Sequence, residues 1–210
     1  MLQLEGFKKS YSSKLILDIP EYTFGRGIHW VKGQNGSGKT TLFKSLAGIL
    51  PFDGGITFDN LNLKKEPLAY RTVVNYGEAE PAFPRMVKGS DIVHIFEKYK
   101  KAPKNQHVEI AEQLGINFLN EVFGTYSSGM GKKLSLLLAF LGEPRLILLD
   151  EPLITLDVAS VKSMLDLINH YKTKNGTSFL ISSHQAFESG SILPDAVHQV
   201  NQGTLYADQV

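Results

Sequence analysis

Eight consecutive residues, Gly33, Gln34, Asn35, Gly36, Ser37, Gly38, Lys39 and Thr40, fit the pattern G-x-x-x-x-G-K-[ST]. The chemistry open to them is a grip on the phosphates of a nucleotide. Glycines let backbone NH groups turn inward around phosphate oxygens, and a helix opening at the end of the run adds about half a positive charge facing the anion. Lys39 would reach the β and γ phosphates, and the Thr40 hydroxyl would ligate Mg²⁺. Gly33, Asn35, Gly36, Ser37, Gly38 and Thr41 belong to the same expected set of nucleotide contacts.

A second group sits far along the chain. Leu146, Ile147, Leu148 and Leu149 form an apolar run that delivers Asp150 and Glu151 at its end, the edge of an open parallel sheet where ligands bind. Asp150 is placed to hold Mg²⁺ through water, and Glu151 to polarise an attacking water. Alone, such a strand end is a pair of solvated charges. Beside a phosphate cradle it reads as chemistry, because phosphoryl transfer needs a metal clamp, a positioned water and little else.

The elements that must carry these groups follow from periodicity. Residues 1–32 alternate short β-type runs, Leu2–Phe7, Leu15–Ile19 and Ile28–Lys32, with turn residues at Ser12, Pro20, Gly25 and Gly27, which predicts antiparallel strands. Residues 39–48 switch to helix composition, with Leu42 and Leu46 four apart and Gly48 placed at a C-cap. Ile56–Phe58 is a further short strand. From about Ser90 to Gly124 the apolar period is helical, broken by Lys101-Ala102-Pro103-Lys104 and by Gly115. Beyond it the pattern predicts a helix over about 129–141, a strand at 146–149, a helix over about 158–171, a strand at 178–181 and a hairpin over 196–207 turning near Gln202 and Gly203. Strands of continuous Leu, Ile and Val alternating with helices imply a parallel sheet covered on both faces. The expected fold class is therefore α/β: a P-loop NTPase core with a mainly parallel sheet, an N-terminal antiparallel β subdomain, and a small helical subdomain at about 86–141 inserted in a single 1–210 domain.

Composition narrows the function. The chain has 210 residues, room for one domain. With 22 Lys plus Arg against 21 Asp plus Glu, the net charge of +1 argues against a nucleic-acid clamp. The absence of cysteine removes disulfides, thiolate nucleophiles and Cys-ligated metals. Met1–Ser10 lacks the apolar run of a signal peptide. The longest apolar stretch, Leu136–Leu141, is far shorter than the roughly 20 residues that span a bilayer. A soluble, cytoplasmic chain is expected.

Between the two chemical groups lies Tyr126-Ser127-Ser128-Gly129-Met130, directly before a predicted helix. Here the chain resembles the ATP-binding cassette (ABC) family, whose signature Leu-Ser-Gly-Gly-Gln occupies that place. Ser127 and Gly129 agree with it, and Tyr126, Ser128 and Met130 depart in a form similar to that of exporter-type cassettes. The resemblance implies that Ser127 and Gly129 close over the γ phosphate of ATP held by the opposite subunit. Asp157, at the end of Glu151-Pro152-Leu153-Ile154-Thr155-Leu156-Asp157, resembles the D-loop aspartate at the dimer seam, and it is also a ready N-cap. His184 resembles the switch histidine that contacts the γ phosphate. Tyr11 resembles the aromatic that stacks on adenine. His29, His94, His107, His170 and His198 are read as surface or packed residues.

One departure bears on mechanism. The family places a glutamine where it touches both the metal site and the membrane subunit, and the match to Val74-Asn75-Tyr76-Gly77-Glu78 puts Ala79 there, flanked by Glu78 and Glu80. Either glutamate could substitute as a metal-facing acceptor, or both could be solvated. Lys132 and Lys133 could face nucleotide or water.

The resemblance implies an ATP-hydrolysing subunit using ATP and Mg²⁺, dimerising as a homodimer or heterodimer around two ATP molecules. It would drive transport through separate transmembrane permease subunits and be held peripherally at the inner face of the membrane. The loop from Ala79 to Met86 and the helical lobe would meet those subunits, with Phe83 and Met86 either exposed for that contact or packed inside. The chain ends soon after its last hairpin, which leaves no room for a C-terminal regulatory domain. Two alternatives stay open: a soluble cassette ATPase in a role such as cofactor assembly, and a nucleotide-binding regulatory module that does not hydrolyse.

Overall fold

Leu2, Leu4 and Phe7 are buried while their neighbours face outward, so β1 (Leu2–Tyr11) presents one apolar face. It pairs antiparallel with β2 (Lys14–Phe24) on one side and β4 (Asp53–Phe58) on the other. A short β5 (Leu61–Asn62) completes a four-stranded sheet ordered β2-β1-β4-β5. The turn between β1 and β2 passes through Ser12 at φ 52°, as its turn chemistry suggested. The structure, a computed structural model, describes residues 1–183 and 192–208.

The third N-terminal run corrects the expectation. β3 (Ile28–Lys32) does not join the antiparallel sheet; it lies in a second sheet, parallel to β8 (Ser178–Ser182) and β9 (Ala196–Asn201). The physical reason is its composition: Ile28, His29, Trp30 and Val31 are all buried, as in a strand covered on both faces, whereas β1 alternates. The second sheet runs β10-β9-β3-β8-β7-β6, with β7 (Leu146–Asp150) beside β6 (Val74–Gly77). Its one antiparallel edge is β10 (Thr204–Ala207), reached from β9 through Gln202 and Gly203, both at positive φ.

The helices fall largely where periodicity placed them: α1 (Lys39–Leu46), α3 (Gly89–Lys100), α4 (Gln106–Gln113), α5 (Ser128–Phe140) and α6 (Val158–Asn175). One more, α2 (Pro67–Val73), was not expected; Pro67 at its first turn was the available signal. The parallel sheet separates two apolar layers. On β7, Leu146 and Leu148 pack with Val31, Leu180, α1 and the antiparallel sheet, while Ile147 and Leu149 pack with Phe179, Ile181, α5, α6 and the helices of the lobe. This double cover is what the continuous apolar strands required. It also brings the carboxyl ends of β3, β7 and β8 to one edge, with Asp150 in register with Ser182.

Candidate active site

The loop leaving β3 turns into α1 through Gly36 and Gly38, at φ 79° and 106°. Only glycine holds such angles without strain, and at Gly38 a Cβ would also press to 3.0 Å against Leu17. Gly38 caps α1 with no side-chain hydrogen bond, a helix N-terminus of the kind that accepts an anion. Lys39 is buried, 6% exposed, and its Nζ donates to the carbonyls of Gly33 (2.8 Å) and Gln34 (3.3 Å). The same nitrogen lies 3.4 Å from Oε1 of Glu151.

β7 delivers the two acids differently. Asp150 is fully buried, its Oδ1 accepting from Ser182 Oγ at 2.6 Å and its Oδ2 from Tyr76 OH at 3.3 Å. Burial, with the negative charges of Asp150 and Glu78 beside it, drives the Tyr76 phenol well above its ordinary pKa, so it stays a hydrogen-bond donor. Glu151 follows at φ 44°, a left-handed conformation that costs a non-glycine residue energy and turns its carboxylate into the cleft. Its NH donates to Ser182 Oγ at 2.9 Å. Ser182 thus holds both acids, a role that only the parallel register reveals.

Lys39 and Glu151 line a cleft of about 910 Å³, large enough for a nucleotide; Asp150, Tyr76 and Ser182 stand behind its lining. Asn35, Gly36, Gly38, Lys39, Thr40 and Thr41 are all in its lining, together with Glu151. Tyr11 lies at the rim, 46% exposed, with the Lys9 ammonium 4.7 Å from its ring centre. Ser127 also lines the cleft. Gly33 and Ser37 stand behind the loop rather than in the cleft; Ser37 lines a neighbouring cavity of about 390 Å³. Gly129 and Asp157 lie outside the lining. Ser127 caps α5 by accepting from Met130 N at 3.1 Å, and Asp157 caps α6 by accepting from Ser160 N at 2.8 Å. A Cβ at Gly129 would lie 3.1 Å from the Thr155 carbonyl, so glycine lets α5 approach the loop after β7. His184 lies outside the described residues.

The segment aligned with the missing glutamine is held from several sides. Glu78 pairs with Lys44 at 2.6 Å, and Glu80 is exposed on the cleft wall. Lys132 faces neither nucleotide nor water: it is 2% exposed, and its Nζ donates to the carbonyls of Glu78 (3.1 Å), Ala79 (3.1 Å) and Asp150 (2.9 Å). Burial lowers its pKa to about 8, opposed by Asp150, Glu151, Glu78 and Glu80. Of the lobe residues singled out in the sequence, Phe83 packs edge-on against Phe123 with ring centres 5.3 Å apart, while Met86 is 85% exposed. His29 and His198 are packed residues, hydrogen-bonded to each other at 2.9 Å, with Tyr22 OH 2.6 Å from His198. Tyr76 and Ser182 carry no signal in the sequence, since nothing in residue type distinguishes them from their neighbours, and Lys132 stood there only as a residue open to nucleotide or water.

The model of the ABC transporter family matches residues 23–154, and the chain belongs to that family. It is an ATP-binding subunit of the ABC transporter type and an ATPase. The ABC transporter ATP-binding protein YdbJ of Bacillus subtilis is 30% identical over 99% of this chain and 68% of its own length. The bacitracin transport ATP-binding protein BcrA of Enterococcus faecalis is 29% identical over 98% of this chain and 68% of its own. In fold, the chain is similar to an ATP-binding subunit of an ABC transporter at a TM-score of 0.88 and 21% identity, covering 100% of this chain and 90% of that one. It is also similar to a post-hydrolysis dimer of an ATP-binding cassette bound to ADP and Pi, at 0.83 and 16%, covering 100% and 98%.

Proposed function

We propose that this subunit hydrolyses Mg²⁺-ATP in the cleft between the 33–41 loop and Glu151, and that two such subunits act as a dimer to drive separate membrane-spanning subunits. The observation that carries this reading is the approach of Lys39 Nζ to Glu151 Oε1, 3.4 Å, inside a cleft walled by a glycine-rich anion cradle.

The residues suit the metal. Asp150 and Thr40 offer carboxylate and hydroxyl oxygens, the hard donors Mg²⁺ takes, and Ser182 and Tyr76 fix the carboxylate. When bound, the ion would supply charge neutralisation for the departing phosphate oxygens. Among the described residues no cluster of three or more His, Cys, Asp or Glu could hold a metal by itself.

The steps belong to the chain's own groups. The α1 NH groups and Lys39 bind the β and γ phosphates, and Tyr11 stacks on the base. The incoming phosphate competes for the Lys39 ammonium, which releases the Glu151 carboxylate from its ion pair. Glu151 then accepts a proton from water as the water oxygen bonds to the γ phosphorus and the bond to the β–γ bridging oxygen breaks, giving ADP and phosphate. His184 is assigned to the γ phosphate. Ser127, Gly129 and Asp157 meet the nucleotide and seam of the opposite subunit, which closes the dimer because ATP contacts favour that state. The elements at about 86–141 act as the helical subdomain, and with Met86 they receive the membrane subunits at the inner face. No helix among the described residues is long and apolar enough to cross a membrane; substrate is taken to pass through the membrane subunits. The Tyr126–Met130 form supports outward transport.

Co-purification from detergent-solubilised membranes tests the partnership. A hydrophobic subunit recovered in stoichiometric amount is the expected result; a chain recovered wholly without one refutes it.

A further inference from the structure

The buried ammonium of Lys132 spends its three protons on three carbonyl oxygens from two separate segments. Two, Glu78 and Ala79, begin the loop that leads to Met86; the third, Asp150, is the last residue of β7. Ala79 itself has no polar side chain with which to reach the site. Ser135 Oγ, one turn along α5, donates to the Glu78 carbonyl at 3.1 Å, and Lys44, on the helix that opens at the phosphate cradle, holds the Glu78 carboxylate at 2.6 Å. The start of the loop is therefore pinned by α1, α5 and β7 together. A lysine 2% exposed carries a large desolvation cost, and an apolar residue of similar volume would fill this place at less cost to folding. What an apolar residue cannot do is bind two segments to one point.

We propose that Lys132 is a positioning residue for hydrolysis. It fixes the end of β7, which presents Asp150 and Glu151, to the Glu78–Met86 loop, so that displacement of either is passed to the other; Lys44 secures the loop from the side of the phosphate cradle. The linkage rests on the ATPase reading for its purpose and on the hydrogen bonds alone for its existence.

The test compares wild type with Lys132→Met, Lys132→Arg and Lys44→Met, by the rate of limited trypsin cleavage after the exposed Arg85 and by steady-state kinetics with Mg²⁺-ATP. Lys132→Met is expected to speed cleavage after Arg85 about tenfold or more in nucleotide-free protein, and to lower kcat about tenfold while the KM for ATP changes less than about twofold. Lys132→Arg, which keeps charge and donors, recovers part of both. A folded Lys132→Met protein with wild-type cleavage and kcat overturns the proposal. Should that variant fail to fold, Lys44→Met decides: faster cleavage after Arg85 supports the linkage, and unchanged cleavage overturns it. If wild type itself does not hydrolyse ATP, the functional reading fails, and the cleavage measurement still decides whether the linkage exists.

Discussion

The Lys39 ammonium lies 3.4 Å from the Glu151 carboxylate, with side chains only 6% and 11% exposed. An ion pair this sheltered is screened little by salt, and it ties the residue proposed to bind phosphate to the residue proposed to activate water. Lys39→Met should therefore lose more than phosphate affinity. It is expected to lower kcat/KM for ATP by about a hundredfold or more, measured by phosphate release at several ATP concentrations, while the far-UV spectrum stays native. Wild-type kcat/KM in this variant would remove Lys39 from the site.

Ser182 stands between the two acids, donating to Asp150 and accepting from the Glu151 NH. Ser182→Ala leaves a fully buried carboxylate oxygen and a backbone NH without that hydroxyl. The expected cost is about 1–3 kcal/mol of stability by urea denaturation, with a drop in kcat from the loosened acids. Equal stability in the variant would mean that the hydroxyl contributes nothing net.

Acid should weaken the fold at a place remote from the cleft. Burial pushes the pKa of His198 down to about 4 and also lowers that of His29, so the native state holds both rings neutral. The unfolded chain takes up protons near 6.5, hence the stability they contribute is present above about 6.5 and is lost as pH falls toward about 4. Urea midpoints of wild type should decline across that window, and more steeply than those of His198→Gln. Parallel declines would contradict the assignment.

Ser127 has two separable roles. As the N-cap of α5 it accepts from Met130 N, and Ser127→Ala should cost about 1 kcal/mol. Ser127→Asp keeps the cap but places a negative charge where a partner's nucleotide phosphate is proposed to lie. Unchanged thermal stability with loss of ATP-dependent dimerisation, followed by light scattering, is expected; dimerisation intact in Ser127→Asp would show that the segment does not meet nucleotide.

The local structure around the proposed chemical groups was the most legible part of the chain. The cradle needs glycines at fixed spacing because Gly36 and Gly38 adopt positive φ, and the acids follow an apolar strand because β7 is buried on both faces. Helix boundaries showed through capping at Ser127 and Asp157 and through Gly48 after α1. What stayed hidden depends on contacts between distant segments. The lack of apolar–polar alternation in Ile28-His29-Trp30-Val31 hinted that β3 is covered on both faces, but its partners β8 and β9 could not be read, since a parallel register joins residues some 150 positions apart. Lys132 could be read only as facing nucleotide or water, because a lysine in a helix is ordinarily solvated; three converging carbonyls show it buried instead. Ser182 and Tyr76 are ordinary strand residues until the sheet sets them beside Asp150.

The central claim is that Glu151 is the base for ATP hydrolysis in this cleft. Phosphate release from Mg²⁺-ATP by purified wild type and Glu151→Gln, with nucleotide binding followed in parallel, tests it most directly. The account predicts turnover by wild type, a loss of about a hundredfold or more in the variant, and ATP still bound by both. Hydrolysis by Glu151→Gln at the wild-type rate would contradict it.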